Sequence, residues 1–344
     1  MPKMTPLERV STAMQLKEPD CVPVIPVMLL RALREIGAGG TYEVLHDPDT
    51  MAQAKITTYR KYGGDALVCG TGLHVEAEAL GCEMEYLEEE VPIIIGRVLE
   101  DDPSLEKLGH VGLNTGRVKA VADEASIISK GYGSEAVVAC GINAPFTFAL
   151  ELRGIHNAVE DMIEDEKYFA ALMERSTQEI INYVDILVDH GIIAFNMLDP
   201  LCSCDVISPD IYRKWGLPYQ KKLADHISSK KAVPMIHMCT YTKPIWHDLL
   251  GCGAPIFSGD IWPSLKEAKE EIGDKITLMG NLQPGKVLLN GTYEEVKKEA
   301  LQCIADAGKG GGFILASGCD TGYNIPDDSF HAMIEAAYSS TYPL

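Results

Sequence analysis

Positive charge is scarce in this chain. Its 344 residues hold 30 lysines and arginines against 50 aspartates and glutamates, a formal net charge of −20. Such a surface repels polyanions, so nucleic acid, acidic membranes and polyanionic substrates are excluded as general partners, although a local basic pocket is not. Long apolar runs are missing too. Apolar residues make up 46% of the chain, yet no charge-free stretch approaches the roughly 20 residues of a membrane span. The opening residues, Met1-Pro2-Lys3-Met4-Thr5-Pro6, lack the basic and apolar regions of a secretory leader. A soluble, cytoplasmic protein is expected. No Gly-x-Gly-x-x-Gly follows an apolar run, which argues against a dinucleotide fold. Lys309-Gly310-Gly311-Gly312 precedes such a run and reads as a turn. The ten cysteines form no compact framework, so reduced thiols are expected in place of disulfides.

What the chain does contain is an alternation of short apolar runs and helical stretches. Residues 5–16 read as a helix, with Thr5 as cap and Pro6 in its first position. An apolar, proline-punctuated run at 21–27 follows, then a helix at 47–62 and a strand at 66–69. Residues 75–99 break the rhythm. Alternating stretches flank Glu88-Glu89-Glu90, which suggests an inserted β-hairpin with a solvated turn. From residue 116 the alternation is regular: a helix to 130, a strand at 136–141, and a long helical region at 147–190 broken near Asp165. Strands are then expected at 192–198, 233–239, 255–257, 276–279 and 313–316, with helices at 209–228, 242–250, 264–272, 294–307 and 327–339. Some eight such runs separated by helices call for a parallel sheet, and closing it gives a (β/α)8 TIM barrel. An open doubly wound sheet is the competitor. The expectation is one domain over residues 1–344, with an N-terminal helical extension and the hairpin insertion near 75–99.

In a barrel the chemistry collects at the carboxyl ends of the strands. Asn143, Asn196, Asp199, His237, Cys239, Asp260, Asn281 and Cys319 all fall there. His237 and Cys239 are two apart in a strand and so share a face. If Cys319 lies beside them, one imidazole and two thiolates gather, a soft set that suits zinc and leaves a position open for chemistry. Plainer readings stand beside this one. Asn143 and Asn281 are able to satisfy turn backbones, and Asp199 before Pro200 is able to form an Asx turn. Cys202-Ser203-Cys204 reads as packing, since free cysteine is commonly buried. His247, Cys252, Cys303 and His331 fall in helices or turns with no partner in sight.

Several segments together resemble the uroporphyrinogen decarboxylase superfamily, and within it the corrinoid-dependent methyltransferases. They are Ile236-His237-Met238-Cys239, Met279-Gly280-Asn281-Leu282, Ser317-Gly318-Cys319, Ile325-Pro326-Asp327-Asp328, Asn143-Ala144-Pro145-Phe146-Thr147 and Asp199-Pro200. Ile207-Ser208-Pro209, Leu217-Pro218-Tyr219 and the opening Thr5-Pro6-Leu7-Glu8-Arg9 also fit, so the likeness spans nearly the whole chain. The resemblance implies a TIM barrel with zinc on His237, Cys239 and Cys319, and Asp260 at the place of a fourth, acidic ligand. It implies methyl transfer between a corrinoid and a small-molecule thiol, methyl ether, methyl thioether or tetrahydrofolate. For folate, Asn143, Asn196 and Asn281 would line the pterin pocket. No Asp-x-His-x-x-Gly corrinoid signature is present, so the cobalamin-type cofactor would come on a separate corrinoid protein. The superfamily's other activity, decarboxylation of a porphyrinogen with eight carboxylates, needs an arginine-rich N-terminal motif. Here that segment is Pro23-Val24-Ile25-Pro26-Val27-Met28, with Arg31 and Arg34 only nearby. A non-catalytic zinc scaffold is the remaining alternative, but a structural site would fill its fourth position.

Overall fold

Eight short strands run parallel and curve into a barrel: β1 (Val24–Ile25), β2 (Ala66–Cys69), β3 (Val137–Asn143), β4 (Ala194–Leu198), β5 (Val233–Met238), β6 (Ile256–Gly259), β7 (Thr277–Leu282) and β8 (Phe313–Ser317). Their hydrogen-bonded order is β1-β8-β7-β6-β5-β4-β3-β2, so chain order and spatial order agree around the ring. This computed structural model describes residues 2–260 and 264–344.

The ring closes between β1 and β2 through a side chain. Asp65 N–H donates to Val24 O at 2.9 Å, and Val24 N–H donates to Asp65 Oδ2 at 2.7 Å. The other oxygen of Asp65 takes a guanidinium hydrogen of Arg9, whose Nε donates to Asp20 at 2.8 Å. One carboxylate thus supplies the ladder bond that the two-residue strand β1 is too short to make.

Alternation along the strands sorts the apolar residues into two layers. Phe195, Ile236, Met238, Phe257, Leu278, Phe313 and Leu315 face outward and pack with the helices. Val137, Ala139, Ala194, Met235, Ile256 and Met279 face the barrel axis. Helix α1 (Pro6–Met14) covers the lower end. Its start is set by a capping box in which Thr5 and Glu8 satisfy each other's backbone N–H groups, and Pro6 occupies the first turn. Its buried face presents Val10 and Ala13 to the inner layer, and Thr277 Oγ1 donates to Ala13 O at 3.0 Å.

Some boundaries depart from the sequence pattern. The region expected as one long helix broken near Asp165 is three helices, Pro145–Arg153, Ile155–Glu164 and Glu166–Asp189. The extra break is at Gly154, whose φ of +83° is a conformation that side chains other than glycine resist. The insertion near 75–99 holds a short helix, Val75–Ala79, ahead of the antiparallel hairpin Glu83–Glu85 with Ile93–Gly96. Its Glu88-Glu89-Glu90 turn is exposed. A seven-residue 3-10 segment, Leu30–Ile36, was not legible in the pattern. No helix among the described residues is long and apolar enough to cross a membrane.

Candidate active site

The upper end of the barrel gathers His237, Cys239 and Cys319. Strand parity puts His237 and Cys239 on the axis side of β5, and parallel pairing sets His237 beside Ser258 of β6. His237 Nδ1 lies 3.0 Å from Ser258 Oγ, and its Nε2 faces Cys239 Sγ at 3.3 Å. Cys319 follows β8 and completes a cluster whose ligand atoms all lie within 4.8 Å of one another. Gly318 makes this approach possible: a Cβ there would sit 2.9 Å from Asp260 Cα, too close for any other residue. The two thiols are inequivalent. A hydrogen bond from Cys239, helped by His237, holds Cys319 far toward the thiolate despite its burial. The same bond, with burial, pushes Cys239 up.

These donors fit a zinc ion: one imidazole nitrogen with its other nitrogen already engaged, and two sulfurs, one of them predisposed to ionise. Ser258 is the outer partner that fixes the imidazole. In Ser258→Ala we expect zinc affinity to fall roughly 10- to 100-fold with the fold intact, measured by competition with a chromogenic chelator.

The remaining residues expected at the site divide. Asp260 lies against the cluster, and its Oδ1 accepts from Thr240 N–H at 2.6 Å. It thereby holds Thr240 at φ +58°, an unfavourable left-handed backbone directly after Cys239. Asp260 is outside the three-residue donor group. Asn143 and Asn196 both line the cavity below and beside the cluster. Asn143 donates through Nδ2 to Glu151 at 2.8 Å, and its N–H is held by Glu76 at 2.8 Å. Asp199 is fully buried away from the cavity. It braces the β3–β4 end by accepting from Thr147 N–H, Thr147 Oγ1 and Gln220 Nε2 at 3.0, 2.7 and 2.7 Å. Burial raises its pKa even so. Asn281 does not line the cavity; its Oδ1 accepts from the Cys303 thiol at 3.6 Å, on helix Tyr293–Ala307. Cys202 is buried in packing, apart from the donors. Other side chains that showed no partner in sequence find one: His247 Nε2 lies 3.0 Å from Glu271, Ala254 N–H donates to Cys252 Sγ at 3.5 Å, and His331 packs on Tyr62.

His74 and Glu151 were missed. They join Asn143 at the cavity, with His74 Nδ1 2.8 Å from Glu151 Oε1. The pair comes from segments 77 residues apart, and no spacing signal connects them. Burial alone would lower the His74 pKa and Arg117 opposes its charge, but Glu151 and Glu76 outweigh both, so the pKa is raised above 6.5. The pair's stabilisation is therefore complete below pH 6.5 and is lost as the pH rises through the higher folded value. The stability gap between wild type and His74→Gln in urea should be larger at about pH 6 than at about pH 9.

The cluster opens on a cavity of about 380 Å3 that runs down the barrel axis to Leu7, Val10 and Met14 of α1. The chain matches the uroporphyrinogen decarboxylase (URO-D) family over residues 5–340. It belongs to that family. Among its relatives, this URO-D family member is 27% identical to a methylcobamide:CoM methyltransferase of Methanosarcina acetivorans, covering 99% of this chain and 100% of that one. A uroporphyrinogen decarboxylase of Chlorobaculum tepidum is 28% identical, over 76% of this chain and 75% of that one. A solved methyltransferase from Methanosarcina mazei superposes with a TM-score of 0.87 at 26% identity, covering 97% of this chain and 98% of that one. End-to-end agreement thus lies with the methyltransferases, and this URO-D protein is an enzyme of that methyl-transferring kind.

Proposed function

We propose that the enzyme moves a methyl group between a corrinoid, carried by a separate protein, and a small molecule that presents sulfur or oxygen. The likeness to methylcobamide:CoM methyltransferases supports the corrinoid. The observation that carries the rest is the meeting of His237, Cys239 and Cys319 at the lip of a cavity whose lower wall is largely apolar. We assign these three as zinc ligands, with Asp260 as the candidate fourth. The small molecule is a thiol, a methyl ether or thioether, or a folate, and the whole chain acts as one catalytic domain in the cytoplasm.

A zinc ion held there would supply Lewis acidity, lowering the proton affinity of a thiol or withdrawing charge from the oxygen or sulfur of a methyl donor. The chain's own groups do the rest. Ser258 keeps His237 from rotating, so its Nε2 stays aimed at the thiols. Cys319, already held toward thiolate, has little proton to lose on ligation. Asp260 fixes the turn after Cys239. Below the cluster, Val68, Ala139, Ala194, Met235, Ile256 and Met279 offer an apolar wall to the body of the substrate. For a thiol acceptor, the proton leaves to solvent and a sulfur lone pair forms the new S–CH3 bond. The cobalt–carbon bond breaks with both electrons left on cobalt, taking cobalt(III) to cobalt(I).

The test is anaerobic transfer from free methylcobalamin to a thiol, followed by the cobalt(I) absorbance. Activity should vanish after chelator dialysis and return on adding zinc. Full activity in metal-free protein would sink the zinc assignment, and no transfer to any of the named acceptors would sink the reaction.

A further inference from the structure

The cavity's charge inventory is unusual for a site related to enzymes of anionic substrates. Among the described residues, no lysine or arginine lines it. Lys55 and two buried arginines of the upper loops are spent elsewhere. Lys55 donates to Met28 O and Leu29 O, both at 2.8 Å. Arg117 pairs with Glu78 and holds the carbonyls of residues 71–73, and Arg31 pairs with Glu35 and Asp327. Of the two histidines in the wall, His237 is engaged by Ser258 and Cys239, and His74 is already paired with Glu151. Asp320 adds a further acid, and the whole chain carries −20. An ionised sulfonate or carboxylate taken into this lumen below the cluster would lose its water and meet no lysine, arginine or unpaired histidine, a heavy cost.

Below the cluster the wall is made by Val68, Ala139, Ala194, Met235, Ile256 and Met279. One polar group interrupts it. Asn196, on β4 between Gly141 of β3 and Met235 of β5, faces this space with its Oδ1 buried and without a hydrogen-bond partner. Among the described residues no hydrogen bond engages this amide, and an unmatched amide in such a wall is costly, so the site is completed by a ligand that hydrogen-bonds to it.

We infer that the axial lumen holds the body of the small molecule, that this body is uncharged and largely apolar, and that Asn196 reads a hydrogen-bonding group on it. This rests on the methyl-transfer reading for the ligand's reacting end only. The volume, about 380 Å3, falls within the roughly 300–1,000 Å3 of small-molecule sites. Sulfonated and carboxylated thiols or ethers are refused, and an acid-tailed folate with them.

Three probes of similar size test this by calorimetry on the full chain: 3-methoxyphenol, methoxybenzene and 3-methoxybenzenesulfonate. The phenol should bind at least tenfold more tightly than the sulfonate. Asn196→Leu, close in volume, should abolish the preference for the phenol over methoxybenzene while leaving methoxybenzene bound. A sulfonate that binds as well as the phenol overturns the charge argument, as does a variant that keeps the phenol preference for the Asn196 role. Should the variant fail to fold, the ranking on wild type still decides. Running the same titrations beside the transfer assay on the zinc-loaded enzyme separates the two readings. A ranking that persists in an enzyme that transfers no methyl group supports the lumen and sinks the reaction, and a lost ranking with intact transfer does the reverse.

Discussion

Cys319→Ser is expected to lower methyl transfer by about 10³-fold or more, equivalent to roughly 4 kcal/mol of barrel-mouth chemistry. The same variant should lose most of its zinc, while its circular dichroism and unfolding midpoint stay close to wild type. Serine is nearly isosteric but offers a hard, protonated oxygen where a soft thiolate is needed. Cys319 also carries the lower proton affinity of the two thiols, so its loss removes the donor that ionises first. His237→Ala and Cys239→Ser should fall in the same class. Asp260→Asn separates two roles for that residue. An amide oxygen still accepts from Thr240 N–H, so a purely positioning Asp260 leaves zinc content intact, whereas a fourth ligand does not. Metal content by plasma mass spectrometry, alongside transfer from methylcobalamin, reads all four variants. An active, metal-replete Cys319→Ser protein would remove that residue from the site.

The largest effect on stability is expected at the opposite end of the barrel. In Arg9→Met, Asp65 remains buried without its guanidinium partner, and breaking such a pair costs about 3–5 kcal/mol. Burial already raises the Asp65 pKa to about 6 in spite of Arg9, so without Arg9 the carboxyl accepts a proton still more readily. The folded variant then binds a proton that the unfolded chain releases, and the loss of stability should shrink as the pH falls toward about 5. Asp65→Asn keeps an oxygen for Val24 N–H and removes the charge. The double variant should therefore recover much of what Arg9→Met loses, a coupling that urea unfolding of the four proteins measures. Equal losses at all pH values would show that Asp65 stays ionised, and the argument would fail.

Parts of this architecture are legible in sequence for physical reasons. Strands such as β3, β5 and β8 are buried on both faces, so each appears as a continuous apolar run bounded by turn residues. His237 and Cys239 are legible because strand parity is a strict rule. The Asn281 side chain turned toward Cys303 is not, because parity with the axis-facing Met279 would send it inward and nothing in Met279-Gly280-Asn281-Leu282 signals the departure. Asp199 looks like a site carboxylate until its partners are known. Thr147 and Gln220, 52 and 21 residues away, saturate it. β1 is barely visible, since only Val24 and Ile25 pair, and the closure depends on a side chain 41 residues downstream. His74 with Glu151 depends wholly on tertiary proximity. Local rules see segments; contacts between distant segments appear only when the ring is formed.

The closure of that ring also dictates an order of events during synthesis. β1 pairs with β8, Val24 opposite Leu315 and Ile25 opposite Ala316. The first strand to leave the ribosome must therefore wait nearly 300 residues for its neighbour, with the backbone edge on that side unsatisfied and able to pair wrongly. α1 rests partly on β7 and β8 as well, through Ala13 and the inner layer. Contacts this remote slow folding and prolong exposure of apolar surface. The nascent barrel is thus an open, sticky arc for almost all of its translation, and shelter by a chaperone is most needed just before its last strand arrives.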